Sequence, residues 1–220
     1  MSKINLIKRA CPVKIHLHSY DLPADVTFKG SVAIDTEAMG LKNHRDRLCL
    51  VQLSAGDEEC HLVHFPEPRF DQAVNLKKAL ADKDLLKIFH YARFDVGILR
   101  HTFQLPVENI YCTKIASRFV RTYTNRHGLK DLCKELLGVD LSKQEQTSDW
   151  GSPVLSPEQL KYAATDVLHL HKLKQKLDIL LAREKRQSLA QACFDFLPHR
   201  THLDLTAGEN FDIFSYQTDG

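Results

Sequence analysis

The 220-residue sequence has no apolar run near the ~18 residues that a membrane-spanning helix requires, which excludes a transmembrane reading. Its first residues, Met1-Ser2-Lys3-Ile4-Asn5-Leu6, lack the basic start, apolar stretch and small-residue cleavage site of a secretory leader, so a cytoplasmic location is expected. The six cysteines (Cys11, Cys49, Cys60, Cys112, Cys133, Cys193) include no C-x-x-C pair, which argues against a zinc ribbon and against a disulfide framework. Excess charge is lacking too. Lys and Arg number 30 against 28 Asp and Glu, and a formal net charge of +2 is too small to indicate nucleic-acid binding by itself. Neither an internal repeat nor a low-complexity segment is present.

What is there is ordinary globular composition, 43% hydrophobic and 26% charged, at a length that suits one α/β domain with an appendage. Three strands are expected in succession: Thr27–Ile34, ending in the apolar Val32-Ala33-Ile34, then Arg47–Ser54 and Glu59–Phe65. The polar run Ser54-Ala55-Gly56-Asp57-Glu58 joins the last two as a hairpin, so the three are antiparallel. Helical spacing follows over Asp71–Ala81, a short buried strand over Leu86–Phe89, and a helix over Phe94–His101. Ile110–Cys112 reads as a strand, and Thr113–Arg121 and Gly128–Leu137 as helices, the second closed by Gly138. Ser156, Pro157 and Gln159 supply an N-cap, a first helical residue and the return bond of a capping box for a long helix over 156–185, whose pattern either breaks near Asp178 or runs on into Arg186–Phe194. From Pro198 the chain turns polar but keeps Leu203, Leu205, Phe211, Ile213, Phe214 and Tyr216. The expected division is therefore a domain over 1–195 and an arm over 196–220 that packs on that domain or on a neighbouring subunit.

Three short motifs carry chemistry. Asp35-Thr36-Glu37 closes the first strand, and the strand period of two puts both carboxylates on one side, where they can share a cation. His90-Tyr91-Ala92-Arg93-Phe94-Asp95 follows the buried strand at 86–89, which sets Asp95 near the first turn of the next helix. Such strand-to-helix junctions are where open α/β sheets bind ligands. Tyr162-Ala163-Ala164-Thr165-Asp166 places Tyr162 and Asp166 four residues apart on one helix face, among small residues that let the helix approach a sheet closely. An Asp on a packed helix needs a partner or a metal.

Taken in this order, Asp-x-Glu, Asp and Tyr-x-x-x-Asp resemble the DEDDy branch of the 3′–5′ exonucleases. Ser148-Asp149-Trp150, Leu155, Gln159 and Tyr162 to Val167 look like the ribonuclease D subfamily. His44 to Cys49, Cys112 to Ser117, Arg121 to Thr124, Arg126 to Lys130 and Phe194 to Pro198 resemble nanoRNase C, a compact ribonuclease D relative that degrades very short RNAs. The resemblance covers roughly residues 20–215. The 54 residues after Asp166 are too few for the additional helical domains of full ribonuclease D.

The resemblance implies an α/β ribonuclease H-like fold with a mixed sheet, three N-terminal antiparallel strands, flanking helices and a C-terminal arm. It implies hydrolysis of RNA from the 3′ end, releasing nucleoside 5′-monophosphates. A site of carboxylates, with no Cys and no motif-borne His ligand, calls for hard cations, Mg²⁺ or Mn²⁺. Two such ions about 3.5–4 Å apart would clamp the scissile phosphate. By family analogy Asp35 bridges both, Glu37 and Asp166 bind the ion on the nucleophile side, and Asp95 binds the ion on the leaving-group side. An ordinary Tyr has a pKa of about 10, so Tyr162 is assigned to orienting the attacking water rather than to deprotonating it. Thr36, Leu41 and His90 are the candidate substrate contacts: the 3′ end, a wedge between the last two bases, and the terminal sugar or phosphate. The basic run 118–127 is a candidate cap for a 5′ phosphate. The implied partners are short single-stranded RNA, with DNA as the alternative, and further copies of the chain in an octameric ring. A non-catalytic RNA-binding relative would be marked by loss of a carboxylate, and all four are present.

Overall fold

The computed structural model describes residues 13–141, 148–211 and 213–215; Cys11 and Tyr216 of the sequence reading lie outside them. The first strand is one that sequence pattern did not show. β1 (Lys14–Ser19) lies at the sheet edge and pairs in parallel with β4, and its alternation of Ile15 and Leu17 with three polar residues leaves it largely exposed. It precedes the three expected antiparallel strands, β2 (Ser31–Ala38), β3 (Leu48–Ser54) and β4 (Glu59–His64). β5 (Leu86–Phe89) and β6 (Ile110–Cys112) complete a six-stranded mixed sheet in the order β1-β4-β3-β2-β5-β6. β2 is thus central, antiparallel to β3 and parallel to β5. It runs four residues beyond the expected end at Ile34, because pairing of Asp35 with Gln52 and Glu37 with Leu50 continues the ladder past the apolar run.

The helices are α1 (Val74–Ala81), α2 (Ala92–Phe103), α3 (Thr113–Val120), α4 (Leu129–Leu132), α5 (Pro157–Leu168), α6 (Leu170–Arg183) and α7 (Gln187–Ala207). α4 continues as a π-helical turn over Cys133–Leu137, closed by Gly138 at φ 70°, a left-handed conformation that glycine adopts without steric cost. The capping box forms as expected: Gln159 N–H donates to Ser156 Oγ at 3.1 Å, and Ser156 N–H donates to Gln159 Oε1 at 2.8 Å. The long helix expected over 156–185 is two helices that meet at His169. The break has a packing cause. Ala163, Ala164 and Val167 cover β2, β3 and β4, whereas Leu173, Leu177 and Leu181 belong to a helix packed on α3 and β5, so the axis turns between two different neighbours.

α7 runs through Pro198, where polar composition suggested that a tail begins, and the division drawn at 195 falls inside it. Phe194, Leu197, Thr201 and Asp204 are all buried at the 3-4-3 spacing of one helix face, which packs on α2. Thr201 and Asp204 hid that stripe by being polar. A proline inside a helix removes one backbone donor, and burial of this face outweighs the loss.

Candidate active site

β2 brings Asp35 and Glu37 to the middle of the sheet, α2 brings Asp95 in its first turn, and α5 brings Asp166 and Tyr162 across the sheet face. Ligand oxygens of Asp35, Glu37 and Asp166 lie within 4.8 Å of one another. Asp95 joins them through Thr36, whose hydroxyl donates to Asp95 Oδ1 at 2.7 Å. All line one cavity of about 680 Å³, with Leu41, His90, Tyr91, Lys114 and Lys130 farther out.

Electrostatics mark this cluster as incomplete. Burial, then repulsion from Asp95, Asp166 and Glu37, holds the Asp35 carboxyl well above its ordinary range. Glu37 is raised well above its range by burial and by Asp166 and Asp95. Burial pushes Asp95 up to about 7 against the opposing Thr36 hydroxyl, and pushes Asp166 up to about 7 against Tyr162. Among the described residues none of the four carboxylates has an ion-pair partner; what steadies them is hydrogen bonding. Buried anions at such distances need a compensating charge. An all-oxygen donor set of this kind fits a hard divalent cation.

Tyr162 is held by Trp150, ring centroids 6.1 Å apart, and burial with Asp166, Glu37 and Asp35 raises its phenol above 10. Burial and these carboxylates favour the protonated phenol, which suits a donor that orients water. His90 keeps to the neutral state: burial, then Lys114 and His127, pushes its imidazole down to about 3. Thr113 donates its single hydroxyl proton to Phe89 O at 3.1 Å, so at 2.9 Å its oxygen accepts from His90 Nδ1–H. That economy of protons leaves Nε2 of His90 as an acceptor. Leu41 is 78% exposed on the rim, on the loop between β2 and β3. This loop is pressed onto α2: Asn43 Nδ2 donates to Phe94 O at 3.3 Å, and a Cβ added at Gly97 would lie 2.2 Å from that nitrogen. A side chain at 97 would therefore displace the Asn43 amide and break its bond to Phe94 O.

The structure separates the basic run into parts. Arg121 is buried and its guanidinium pairs with Glu135, with Nη1 donating to Ser117 Oγ at 3.0 Å, so it braces the 121–135 segment rather than facing the cavity. His127 is hydrogen-bonded to Ser117, and the cationic rim of the cavity is Lys114 and Lys130. Sequence reasoning missed Gln52, whose Nε2 donates to Asp35 Oδ2 at 3.2 Å while its own Oε1 is buried without a partner. Cross-strand register opposite Asp35 was the signal for it. It also missed Tyr91, which adopts φ 67° at the N-terminus of α2 with Lys114 Nζ 3.8 Å above its ring.

Residues 19–182 match the family described as 3'-5' exonuclease. The chain belongs to the 3'-5' exonuclease family. Within that exonuclease family it is 36% identical over 155 residues to ribonuclease D of Gluconacetobacter diazotrophicus, a match covering 70% of this chain and 39% of that protein. The chain thus spans about two fifths of the length of that relative. Brucella melitensis NrnC superposes with a TM-score of 0.87 at 48% identity, covering 93% of this chain and 100% of that one. Structures of the same Brucella protein with bound Mg²⁺ and bound to pGG superpose with TM-scores of 0.86 and 0.87 at 47% identity, with the same coverage of both chains. The mixed sheet with its flanking helices is the ribonuclease H-like exonuclease fold.

Proposed function

We propose that this chain is a metal-dependent 3′–5′ exoribonuclease that hydrolyses short RNAs, dinucleotides included, to nucleoside 5′-monophosphates. The observation that carries the reading is the set of four mutually repelling carboxylates, Asp95 buried and Asp35, Glu37 and Asp166 half-buried, beside Tyr162. Asp35, Glu37 and Asp166 would hold one Mg²⁺ or Mn²⁺ and Asp35 with Asp95 a second. Bound divalent cations supply charge that stabilises the phosphate as it is attacked and lower the pKa of the attacking water. Gln52 orients Asp35, and Thr36 orients Asp95. Tyr162 donates to the water and aligns it with phosphorus. The acceptor Nε2 of His90 suits a ribose hydroxyl, and Leu41 is placed to wedge between the last two bases. Lys114 and Lys130 suit the remaining phosphate.

The size of the cavity, about 680 Å³, supports short RNA, since it lies within the ~300–1,000 Å³ of pockets that hold small ligands. The pGG bound to the Brucella relative supports the same substrate class. Self-association is part of the proposal, with the apolar Phe211, Ile213 and Phe214 of the arm, all exposed, as surface for a second copy. The test is turnover of 5′-labelled RNAs of two to twenty nucleotides with each cation, with Asp95→Asn as the inactive control. Fastest cleavage of dinucleotides supports the reading; stepwise cleavage of long RNA or DNA with dinucleotides left over refutes the length assignment.

A further inference from the structure

We propose that the segment Gly208–Asn210 is a wall of the nucleotide cleft that selects RNA by length, an inference that rests on the exoribonuclease reading. The segment leaves α7 and returns to the cavity, so that Glu209 and Asn210 line the same space as Asp35 and Leu41. It is pinned there by a clamp. Asp204, 8% exposed in the last turn of α7, accepts from Arg93 Nε at 2.6 Å and from Arg93 Nη2 at 2.8 Å, and its Oδ1 is ion-paired with Arg200 Nη2 at 2.8 Å. The same two guanidinium groups then hold the backbone beyond it. Arg93 Nη2 donates to Glu209 O at 2.6 Å, Arg200 Nη2 to the same oxygen at 3.0 Å, and Arg200 Nη1 to Phe211 O at 2.6 Å.

Both ends of the cleft are thereby joined. Arg93 lies two residues before Asp95 on α2, and the Glu209 carboxylate lies 3.9 Å from Nζ of Lys42, the neighbour of Leu41. A surface tail needs no such arrangement to stay folded. Burying a carboxylate between two guanidinium groups carries a desolvation cost that an apolar contact would avoid, so the clamp is better explained by what it positions. It fixes the Glu209–Asn210 backbone at the rim. A substrate that ends inside the cavity stops short of this segment, whereas a longer chain must carry its next nucleotide past a pinned backbone that leaves it no room. Rejection of the longer ligand, rather than tighter grip on the shorter, is what this arrangement supplies. Arg93, Arg200 and Asp204 act as positioning residues, and Glu209 with Asn210 as the surface that meets the RNA.

The test compares 5′-phosphorylated RNAs of two and seven nucleotides in the full-length parent, Glu209→Ala/Asn210→Ala, Asp204→Asn and Asp204→Glu. Turnover with Mg²⁺ gives kcat/KM for each length. Binding is read separately by fluorescence anisotropy in an Asp95→Asn background, and thermal melting checks that each variant folds. The ratio of kcat/KM for the two-mer over the seven-mer is expected to fall about tenfold in the first two variants, through a lower KM for the seven-mer, with the matching change in the binding ratio. Asp204→Glu, which keeps the charge, is expected to stay nearer the parent. An equal ratio in parent and variants overturns the wall, since loss of general stability would lower both lengths alike. If the parent hydrolyses neither RNA, the exoribonuclease reading falls while the binding ratio still decides the wall.

Discussion

Replacing Asp95 with Asn should stabilise the metal-free protein while ending catalysis. Asp95 is raised from an ordinary 3.8 to about 7, chiefly by burial, so the ionised form is disfavoured in the fold relative to the unfolded chain. At about 1.36 kcal/mol per pH unit, that rise corresponds to about 4 kcal/mol of lost stability above pH 7. The sign follows from proton binding. A carboxyl with a raised folded-state pKa binds its proton more tightly when folded, so stability falls as pH climbs from about 4 to about 7. Asn keeps the Thr36 hydrogen bond at its Oδ1 and removes the charge, but its amide must find acceptors among the neighbouring carboxylates. We expect it to recover roughly half of the loss, about 2 kcal/mol, which is about 4–8 °C in Tm for a domain of this size. Thermal melts in EDTA at pH 8 and pH 4.5 measure it: the variant melts higher at pH 8 and nearly with the parent at pH 4.5. Mg²⁺ should stabilise the parent more than the variant. An Asn variant that melts at or below the parent in EDTA at pH 8, or by the same margin at both pH values, refutes the picture of an uncompensated anionic cluster.

Tyr162→Phe removes only the hydroxyl and leaves the Trp150 packing, so kcat should fall about 10²-fold, the low end for a positioned proton-handling group, with KM little changed; retained activity across pH in initial-rate assays would remove Tyr162 from the mechanism. Arg121→Ala should cost about 2 kcal/mol, read as a drop in denaturation midpoint, because the buried guanidinium loses charge-assisted bonds; salt dependence of RNA binding should not change. Lys130→Ala should do the reverse, lowering the slope of log K against log salt by about 0.7 in anisotropy titrations while Tm holds. Ser156→Ala removes the cap of α5 and should lower stability by about 1 kcal/mol in chemical denaturation, with dinucleotide turnover at 25 °C close to the parent's.

The carboxylate site was legible because each part of it is a short-range pattern. Period two puts Asp35 and Glu37 on one side of β2, spacing four puts Tyr162 and Asp166 on one helix face, and Ser156-Pro157-x-Gln159 marks where that helix starts. What stayed hidden depends on distant partners. β1 exists through parallel pairing with β4, about 45 residues away in sequence, and carries no apolar run of its own. Gln52 matters only once register sets it opposite Asp35. Arg121 reads as part of a basic run and turns out buried against Glu135. α7 crosses a proline because Thr201 and Asp204 are buried against α2, and polar letters give no hint of burial until Arg93 and Arg200 are seen to pair with Asp204.

A polyanion has to enter a cavity whose centre is itself anionic, and the distribution of charge shows how that conflict is resolved. Lys114 and Lys130 stand on the rim, where they can draw RNA in from solution, but among the described residues neither pairs with a carboxylate of the floor. At the floor, Asp35, Glu37 and Asp166 sit within 4.8 Å of one another with only hydrogen-bond donors to steady them. A phosphate brought there without cations would add a negative charge to a cluster already too crowded to stay fully ionised near neutral pH. Cation and RNA must therefore bind with positive coupling, each raising the affinity for the other by the same factor. RNA affinity in EDTA should then reflect the rim lysines alone, weak and steeply salt-dependent, and should rise on adding Mg²⁺ even where Asp95→Asn prevents turnover. Affinity that is indifferent to Mg²⁺ would mean that the RNA never reaches the carboxylates.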